Sequence, residues 1–173
     1  MLNVTLRTLH VAAVVVYLGG GILFHGSLRR ALKLIPPGQA SIIGSKVGSD
    51  FTYLSWLSLV AWGVTGYWML FRFGWGDASA PLTLFIKTSV LDTSRGAWLL
   101  VMLMTWYLIM VNASIITFVL RPRLAQRVLA GASADDANRV VETISDAARR
   151  IDGLALANLV LTLIGLISGA LFL

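Results

Sequence analysis

The segment LRTLHVAAVVVYLGGGILF, residues 6–24, is the first of four long apolar stretches in this chain. The others run over residues 51–73, 97–120 and 154–173. Each is close to the ~20 residues that an α-helix needs to cross a ~30 Å hydrocarbon core. None alternates apolar and polar residues as a membrane β-strand would. The pattern therefore predicts four transmembrane helices, at about residues 5–28, 51–73, 96–120 and 151–173.

The composition of the whole chain agrees with this prediction. Hydrophobic residues make up 57% of the 173 residues and charged residues only 13%, and the mean hydropathy is +0.81. A soluble domain usually carries about 25% charged residues, because its surface faces water. The absence of cysteine excludes disulfides, thiolate metal sites and iron–sulfur clusters. We predict an all-α fold, in which residues 1–173 form one integral membrane four-helix bundle in the lipid bilayer.

Most of the 14 lysines and arginines lie in two of the three connections between the spans. The positive-inside rule predicts that both termini are outside (N-out and C-out) and that these two connections are cytoplasmic, as in a multi-pass protein of a bacterial-type cytoplasmic (inner) membrane. The net charge of +6 then reflects topology and contact with anionic headgroups, so we expect no nucleic-acid partner. The basic residues of the two connections are Arg29, Arg30, Lys33, Lys46, Arg121, Arg123, Arg127, Arg139, Arg149 and Arg150.

The same two connections contain helix signals. Pro36-Pro37-Gly38 ends any helix that extends past Lys33, because proline cannot continue the hydrogen-bond ladder. Ser133 is a predicted N-cap, and apolar residues recur at helical spacing after it. This pattern predicts an amphipathic cytoplasmic helix over residues 134–150, between the third and fourth spans. Asp50 and Asp152 are interpreted as caps at helix starts.

The two histidines, His10 and His25, are the first candidates for a functional site. Both lie on the first span, where an ionisable side chain is costly and is a functional candidate by default. Their separation of fifteen positions corresponds to a rise of ~22 Å and a net rotation of ~60°. Both rings are therefore expected to face the bundle interior, one near each membrane surface. Each histidine also has an alternative to a role as a ligand. His10 would then be a packed residue that is hydrogen-bonded to a backbone carbonyl or to water, and the His25 side chain would extend to the headgroups.

Methionine and glycine residues complete the candidate site. Met69 and Met102 are predicted to lie at the depth of His10, and a His/Met pair is an established axial ligand set for haem. Gly19 and Gly20, with Gly21, either make room for a flat cofactor or allow close helix packing. His10 and His25 are the candidate metal ligands. With no cysteine and well-separated histidines, a zinc or copper site within one chain is not expected.

The first span resembles that of copper-resistance D-like and HemJ-type membrane proteins. The resemblance rests on Leu9-His10, the apolar run to Tyr17, the glycines Gly19-Gly20 and the Arg29-Arg30 turn, and it extends to Lys87 and Arg121-Pro122. It implies a small helical bundle that binds haem b through His10, with Lys87 as a polar partner. Tyr17 stands where these proteins usually have tryptophan.

Three classes of function are compatible with the sequence. The first is a haem b protein that transfers electrons or oxidises a membrane-associated substrate. The second is a non-catalytic accessory subunit of a larger respiratory or photosynthetic complex, and the third is a copper transport component. We expect a homo-oligomer or a larger membrane complex in each case. The outer half of the bundle, around His10, is the expected location of any functional site.

Overall fold

A computed structural model describes residues 2–72, 93–124 and 133–172 of the chain, and all of its regular structure is helical. Helix α1 is α-helical over Leu2–Ile22, widens to a π-helix over Leu23–Leu28 and continues as an α-helix over Arg29–Leu32. Helix α2 spans Pro37–Arg72. Helix α3 is α-helical over Ser94–Ser114, π-helical over Ile115–Leu120 and α-helical again over Arg121–Leu124. Helix α4 spans Ala134–Phe172.

In the described residues, four helices are long and apolar enough to cross a membrane, as the sequence predicted. Two of them are longer than the sequence predicted. Helix α2 begins at Pro37 rather than near residue 51, and proline suits the first position of a helix because it has no amide hydrogen to satisfy. Residues 134–150 are not a separate helix, since they continue without a break into the fourth span.

The caps of these helices follow from their first residues. Ser133 is the predicted cap of α4, and its hydroxyl accepts a hydrogen bond of 3.2 Å from the backbone N–H of Asp136. Thr93 caps α3 in the same way, with its hydroxyl 3.1 Å from the N–H of Gly96. Asp50 and Asp152 lie inside α2 and α4, so their interpretation as helix caps is wrong. They form ion pairs instead, Asp50 with Lys46 and Asp152 with Arg29.

The helices pack as two pairs, α1 along α2 and α3 along α4. The end of α1 at Leu32, the start of α2, the end of α3 at Leu124 and the start of α4 lie at one end of the bundle, which we call the basic end. The start of α1 and the end of α4 lie at the other, which we call the terminal end. Side chains join the pairs: the Trp106 indole of α3 donates a 3.2 Å hydrogen bond to the Leu59 carbonyl of α2, and the Tyr67 and Tyr107 hydroxyls are hydrogen-bonded. The buried centre is built from residues of α1, α2 and α3, namely Ala13, Val14, Tyr17, Leu59, Trp62 and Ile109.

Glycines allow the closest approaches between the helices. A methyl group added at Gly63 would enter the indole ring of Trp106, and one added at Gly165 would lie 3.1 Å from the Thr105 hydroxyl oxygen. The Gly165 and Gly169 pair therefore brings α4 against α3, as small residues do in membrane helices. Gly19 differs, because no atom lies within 4 Å of a methyl group added there.

The outer surface of the bundle is apolar. Large hydrophobic side chains on every helix are exposed, for example Val15, Val60, Leu108 and Ile167. A monomeric soluble protein rarely exposes a continuous apolar surface of this kind, whereas hydrocarbon is its natural solvent. The exposed surface thus agrees with the helix lengths in identifying a multi-pass membrane protein.

We predict that Gly63→Ala destabilises the bundle and that Gly19→Ala does not. The new methyl group at residue 63 displaces the Trp106 ring, and overpacking of this kind costs about 1–3 kcal/mol. At residue 19 the methyl group meets open space, so the free energy of unfolding should stay the same or rise by up to about 1 kcal/mol. Unfolding in mixed micelles, followed by circular dichroism, compares the two variants. Equal stability of both would contradict the proposed packing of Gly63 on Trp106.

Candidate functional site

The bundle contains a small cavity near its terminal end and a large one at its basic end. The small cavity has a volume of about 20 Å³, room for about one water molecule. His10 lies in its wall, together with residues of α2 and α3. The lining residues are His10, Trp62, Gly63, Gly66, Tyr67, Leu70, Met102, Leu103 and Trp106.

His10 is held by α2. Its Nδ1 lies 3.1 Å from the hydroxyl oxygen of Thr65, and that hydroxyl in turn donates a 2.6 Å hydrogen bond to the Ala61 carbonyl. Nδ1–H is therefore the donor in the neutral ring, and Nε2 carries the lone pair. The edge of the ring contacts Gly66, and the Trp62 indole packs against the ring in a T-shaped arrangement. His10 is thus packed against α2, and its described hydrogen-bond partner is the side chain of Thr65.

Of the two candidate methionines, only Met102 lines the same cavity as His10. Met69 is half-buried on α2 and lines neither of the two cavities. A cofactor pocket usually has a volume of roughly 300–1,000 Å³, so the space beside His10 does not fit a haem. The residues present there fit a single water molecule or a small ion at most.

The large cavity has a volume of about 880 Å³, and residues of all four helices line it. Its walls are mainly aromatic and aliphatic, and its charged groups lie at the basic end. The aromatic lining residues are Tyr17, Phe24, Phe51 and Trp56. The ionisable ones are His25, Arg29, Arg121 and Asp152, and the other polar ones are Ser45, Ser49, Thr52, Ser55, Thr117 and Asn158.

His25 lies in the wall of this large cavity. Its ring packs edge-on against Phe24, with 5.2 Å between the ring centroids, and against Phe51, with 6.5 Å. Within residues 2–72, 93–124 and 133–172, neither ring nitrogen of His25 has a hydrogen-bond partner. The two histidines thus differ in their hydrogen bonding. His10 is bonded to Thr65, whereas His25 has no hydrogen-bond partner among the described residues.

The three consecutive glycines of α1 have different surroundings. Gly19 is exposed on the outer face, whereas a methyl group at Gly20 would lie 3.1 Å from the Phe51 ring. Gly21 is buried, lines the large cavity and lies so close to Leu159 that a methyl group would approach its side chain to 2.8 Å. Of the three glycines considered as making room for a cofactor, Gly20 thus packs against Phe51, and Gly21 is the one that lines the large cavity.

A chain of hydrogen bonds forms the end of the large cavity that lies deepest in the bundle. Asn112 of α3 donates a 3.0 Å hydrogen bond to the side-chain oxygen of Asn158 on α4, and the Asn158 amide donates one of 3.2 Å to the Tyr17 hydroxyl on α1. Asn158 is only 5% exposed and Tyr17 only 8%. Because no water solvates these groups in hydrocarbon, their mutual hydrogen bonds fix how three helices meet.

The mouth of the large cavity is charged. The Arg29 guanidinium of α1 lies 2.6 Å from an Asp152 carboxylate oxygen of α4, and this ion pair joins the two helices. Arg121 reaches across from α3 towards α2, with its Nη2 3.6 Å from where a methyl group on Gly48 would be. Deeper in the cavity, the Ser55 hydroxyl is buried and has no hydrogen-bond partner within the described part of the chain.

Both π-helical segments contribute to the large cavity. Phe24 and His25 belong to the π-helix of α1, and Ile116 and Thr117 belong to that of α3. Thr117 also accepts a 3.1 Å hydrogen bond from the Trp56 indole of α2. Single π-helical turns are rare and occur frequently at functional sites. Because two π-helical segments line this one cavity, we interpret the cavity as a functional feature of the fold.

The sequence identified some of these residues and missed others. It singled out His25 and Met102, but not the cavity that His25 lines, nor Asn112 and Asn158. Arg121 entered only as a basic residue of a connection and as part of the family resemblance. The signal for the asparagines was present, because an amide side chain inside an apolar span needs a polar partner. Lys87 lies outside the described residues. Within those residues, no three histidine, aspartate or glutamate side chains come together as a group that would hold a metal ion.

We predict that Asn158→Leu destabilises the bundle, because it leaves the Tyr17 hydroxyl and the Asn112 amide without partners in hydrocarbon. Interhelical hydrogen bonds in membranes contribute about 1–2 kcal/mol in model peptides, and Asn158 makes two. Asn138→Leu is the control, since residue 138 is exposed near the start of the same helix. Thermal unfolding in detergent should show a clearly lower midpoint for the residue 158 variant alone. Equal midpoints would exclude a stabilising role for this chain of hydrogen bonds.

The large cavity is therefore the candidate site. The sequence matches no protein-family profile, no curated protein and no solved structure.

Proposed function

We propose that this protein binds haem b in the large cavity, with His25 as the axial ligand, and acts in electron transfer or in oxidation of a membrane-associated substrate. The observation that carries the proposal is the His25 imidazole, which has no hydrogen-bond partner among the described residues and lies in the wall of a cavity of about 880 Å³. That volume lies within the range of cofactor pockets. Haem iron accepts a single histidine as its protein ligand in globins and peroxidases.

The other lining residues support a flat, largely apolar ligand. Phe24 and Phe51 stack with 4.8 Å between their centroids beside His25, and Trp56 is fixed by its bond to Thr117. Such side chains provide an apolar environment for a macrocycle. Haem, when bound, would supply one-electron redox chemistry. The residues of this chain would hold it, exclude water and shield it from the headgroup region.

The ligand set predicts a spectroscopic property. No second histidine and no methionine lines the large cavity among the described residues. His25 would then be the residue that holds the haem, and the bound group would be able to react with a small ligand or a substrate. We therefore expect a high-spin spectrum that changes when carbon monoxide is added to the reduced protein, rather than the spectrum of a bis-ligated electron carrier.

The test is a titration of the detergent-purified full chain with haemin. We predict a Soret band that saturates at one haem per chain, is confirmed by pyridine haemochrome and is lost in His25→Ala. His10→Ala should bind haemin as the wild type does, because the small cavity beside residue 10 does not fit a haem. Size-exclusion profiles of both variants control for folding.

Two results would contradict this proposal. If saturable binding is lost in His10→Ala but kept in His25→Ala, the haem site lies beside His10 at the terminal end of the bundle. Absence of a Soret band in the wild type, with a normal size-exclusion profile, would exclude haem binding altogether. The accessory-subunit interpretation would then gain support if the colourless protein co-purified with a respiratory or photosynthetic complex.

We also propose an orientation, with both termini outside and the basic end of the bundle in the cytoplasm of a bacterial-type inner membrane. The positive-inside rule supports it, because Arg29, Arg30, Arg121 and Arg123 all lie at the basic end. In this orientation the first part of α4, residues 134–150, extends into the cytoplasm as the predicted amphipathic segment. The mouth of the large cavity then lies at the cytoplasmic headgroup level.

The absence of cysteine makes this orientation directly testable. We predict that a membrane-impermeant maleimide labels Ser94→Cys in intact cells, whereas Ser133→Cys reacts only in inside-out vesicles. Both residues are exposed and lie at helix starts at opposite ends of the bundle. The reverse labelling pattern would invert the proposed topology.

The copper alternative has less support from the geometry. The small cavity is lined by one imidazole, His10, and one thioether, Met102, and two such donors do not complete the usual coordination of a stable copper site. Copper transport and assembly into a homo-oligomer or larger complex remain predictions from the sequence.

A further inference from the structure

The charged mouth of the large cavity has one arginine more than its described carboxylates neutralise. Of the charged side chains that line the cavity, Arg29 and Arg121 are cationic and Asp152 is anionic. Asp152 is already paired with Arg29 at 2.6 Å. Within the described part of the chain, no carboxylate lies within ion-pair distance of Arg121. The mouth therefore presents one uncompensated guanidinium to whatever occupies the cavity.

The position of Arg121 is fixed by its neighbours. It directly follows the π-helical segment of α3, it is half-buried, and its guanidinium lies over Gly48 of α2, where only hydrogen occupies the space of a side chain. Phe24 also lies 3.7 Å from where a Gly48 methyl group would be, so the guanidinium and the aromatic wall beside His25 meet over the same glycine. Arg121 therefore lies between the apolar interior of the cavity and its open end.

We propose that Arg121 is the anion-binding subsite of the large cavity, where it binds an acidic group of an amphipathic ligand whose apolar body lies among Phe24, Phe51 and Trp56. The inference rests on the proposed function, in which the acidic groups are the two carboxylates of haem b. Arginine suits this role because its planar fork binds a carboxylate through two parallel hydrogen bonds. An anionic phospholipid headgroup offers the same oxyanion chemistry, and the experiment separates the two sources.

The experiment compares two probes on the full chain in detergent, haemin and haemin dimethyl ester. They share the macrocycle and the iron, but only haemin carries free carboxylates. We expect the wild type to bind haemin roughly tenfold to a hundredfold more tightly than the ester, as a hydrogen-bonded charge pair would give. Arg121→Gln should lose most of this preference and keep the affinity for the ester. The Soret bands at saturation should be unchanged, because His25 is intact.

The matched control is Arg123→Gln, which removes the same charge from an exposed residue that does not line the cavity. It should keep the preference of the wild type for haemin. The subsite would be overturned if the wild type bound both probes with equal affinity. It would also be overturned if Arg121→Gln weakened the binding of haemin and of its dimethyl ester by the same factor. In each of these two cases haem binding itself still stands.

If neither haem compound binds, the proposed function is refuted. A third measurement then tests whether Arg121 still binds an anion. Native mass spectrometry then measures phosphatidylglycerol retained by the wild type, Arg121→Gln and Arg123→Gln. A several-fold loss of bound phosphatidylglycerol in Arg121→Gln alone would keep the subsite, with a lipid phosphate as its anion. Equal retention by all three proteins would overturn it.

Discussion

The packing of this bundle depends on the buried amide of Asn158. It accepts a hydrogen bond from Asn112 and donates one to Tyr17, so a single side chain of α4 fixes its register against both α3 and α1. Apolar contacts alone would not do so in a membrane, because lipid tails replace them at little cost. The position of this amide also sets where close packing ends and the large cavity begins, since Tyr17 and Asn158 both line its deep end.

Much of the architecture was predictable because hydrocarbon imposes it. A backbone in lipid has to satisfy its own hydrogen bonds, so apolar runs of the right length form helices whatever their detailed sequence. The true extents of α2 and α4 were less predictable. Residues 38–50 contain three glycines and several polar side chains, and helix propensity alone predicts no helix there. Tertiary contacts such as Leu32 with Gly44 and Phe24 with Gly48 support the extension.

The candidate site was only partly predictable, for a different reason. Histidine is conspicuous in an apolar span, so His10 and His25 stood out from the sequence. Which of them borders open space depends on partners far away along the chain, such as Thr65 for the first and the walls of α2 and α4 for the second. The cavity is formed by the surfaces of four helices together, so the residue pattern of any one helix does not predict it. The π-helical segments have no clear sequence signature either.

The unbroken lengths of α2 and α4 have a mechanical consequence. At a rise of about 1.5 Å per residue, helices of 36 and 39 residues are nearly twice as long as the ~30 Å hydrocarbon core is thick. At that length, an arm of each helix would extend beyond the lipid at the basic end, and in the described residues no hinge or loop separates that arm from the rest of the same helix. A torque applied to the free end of α4 would be transmitted along it through Asp152 to Asn158. A partner bound to that arm would therefore contact the same continuous helix that carries Asp152 and Asn158 in the wall of the cavity.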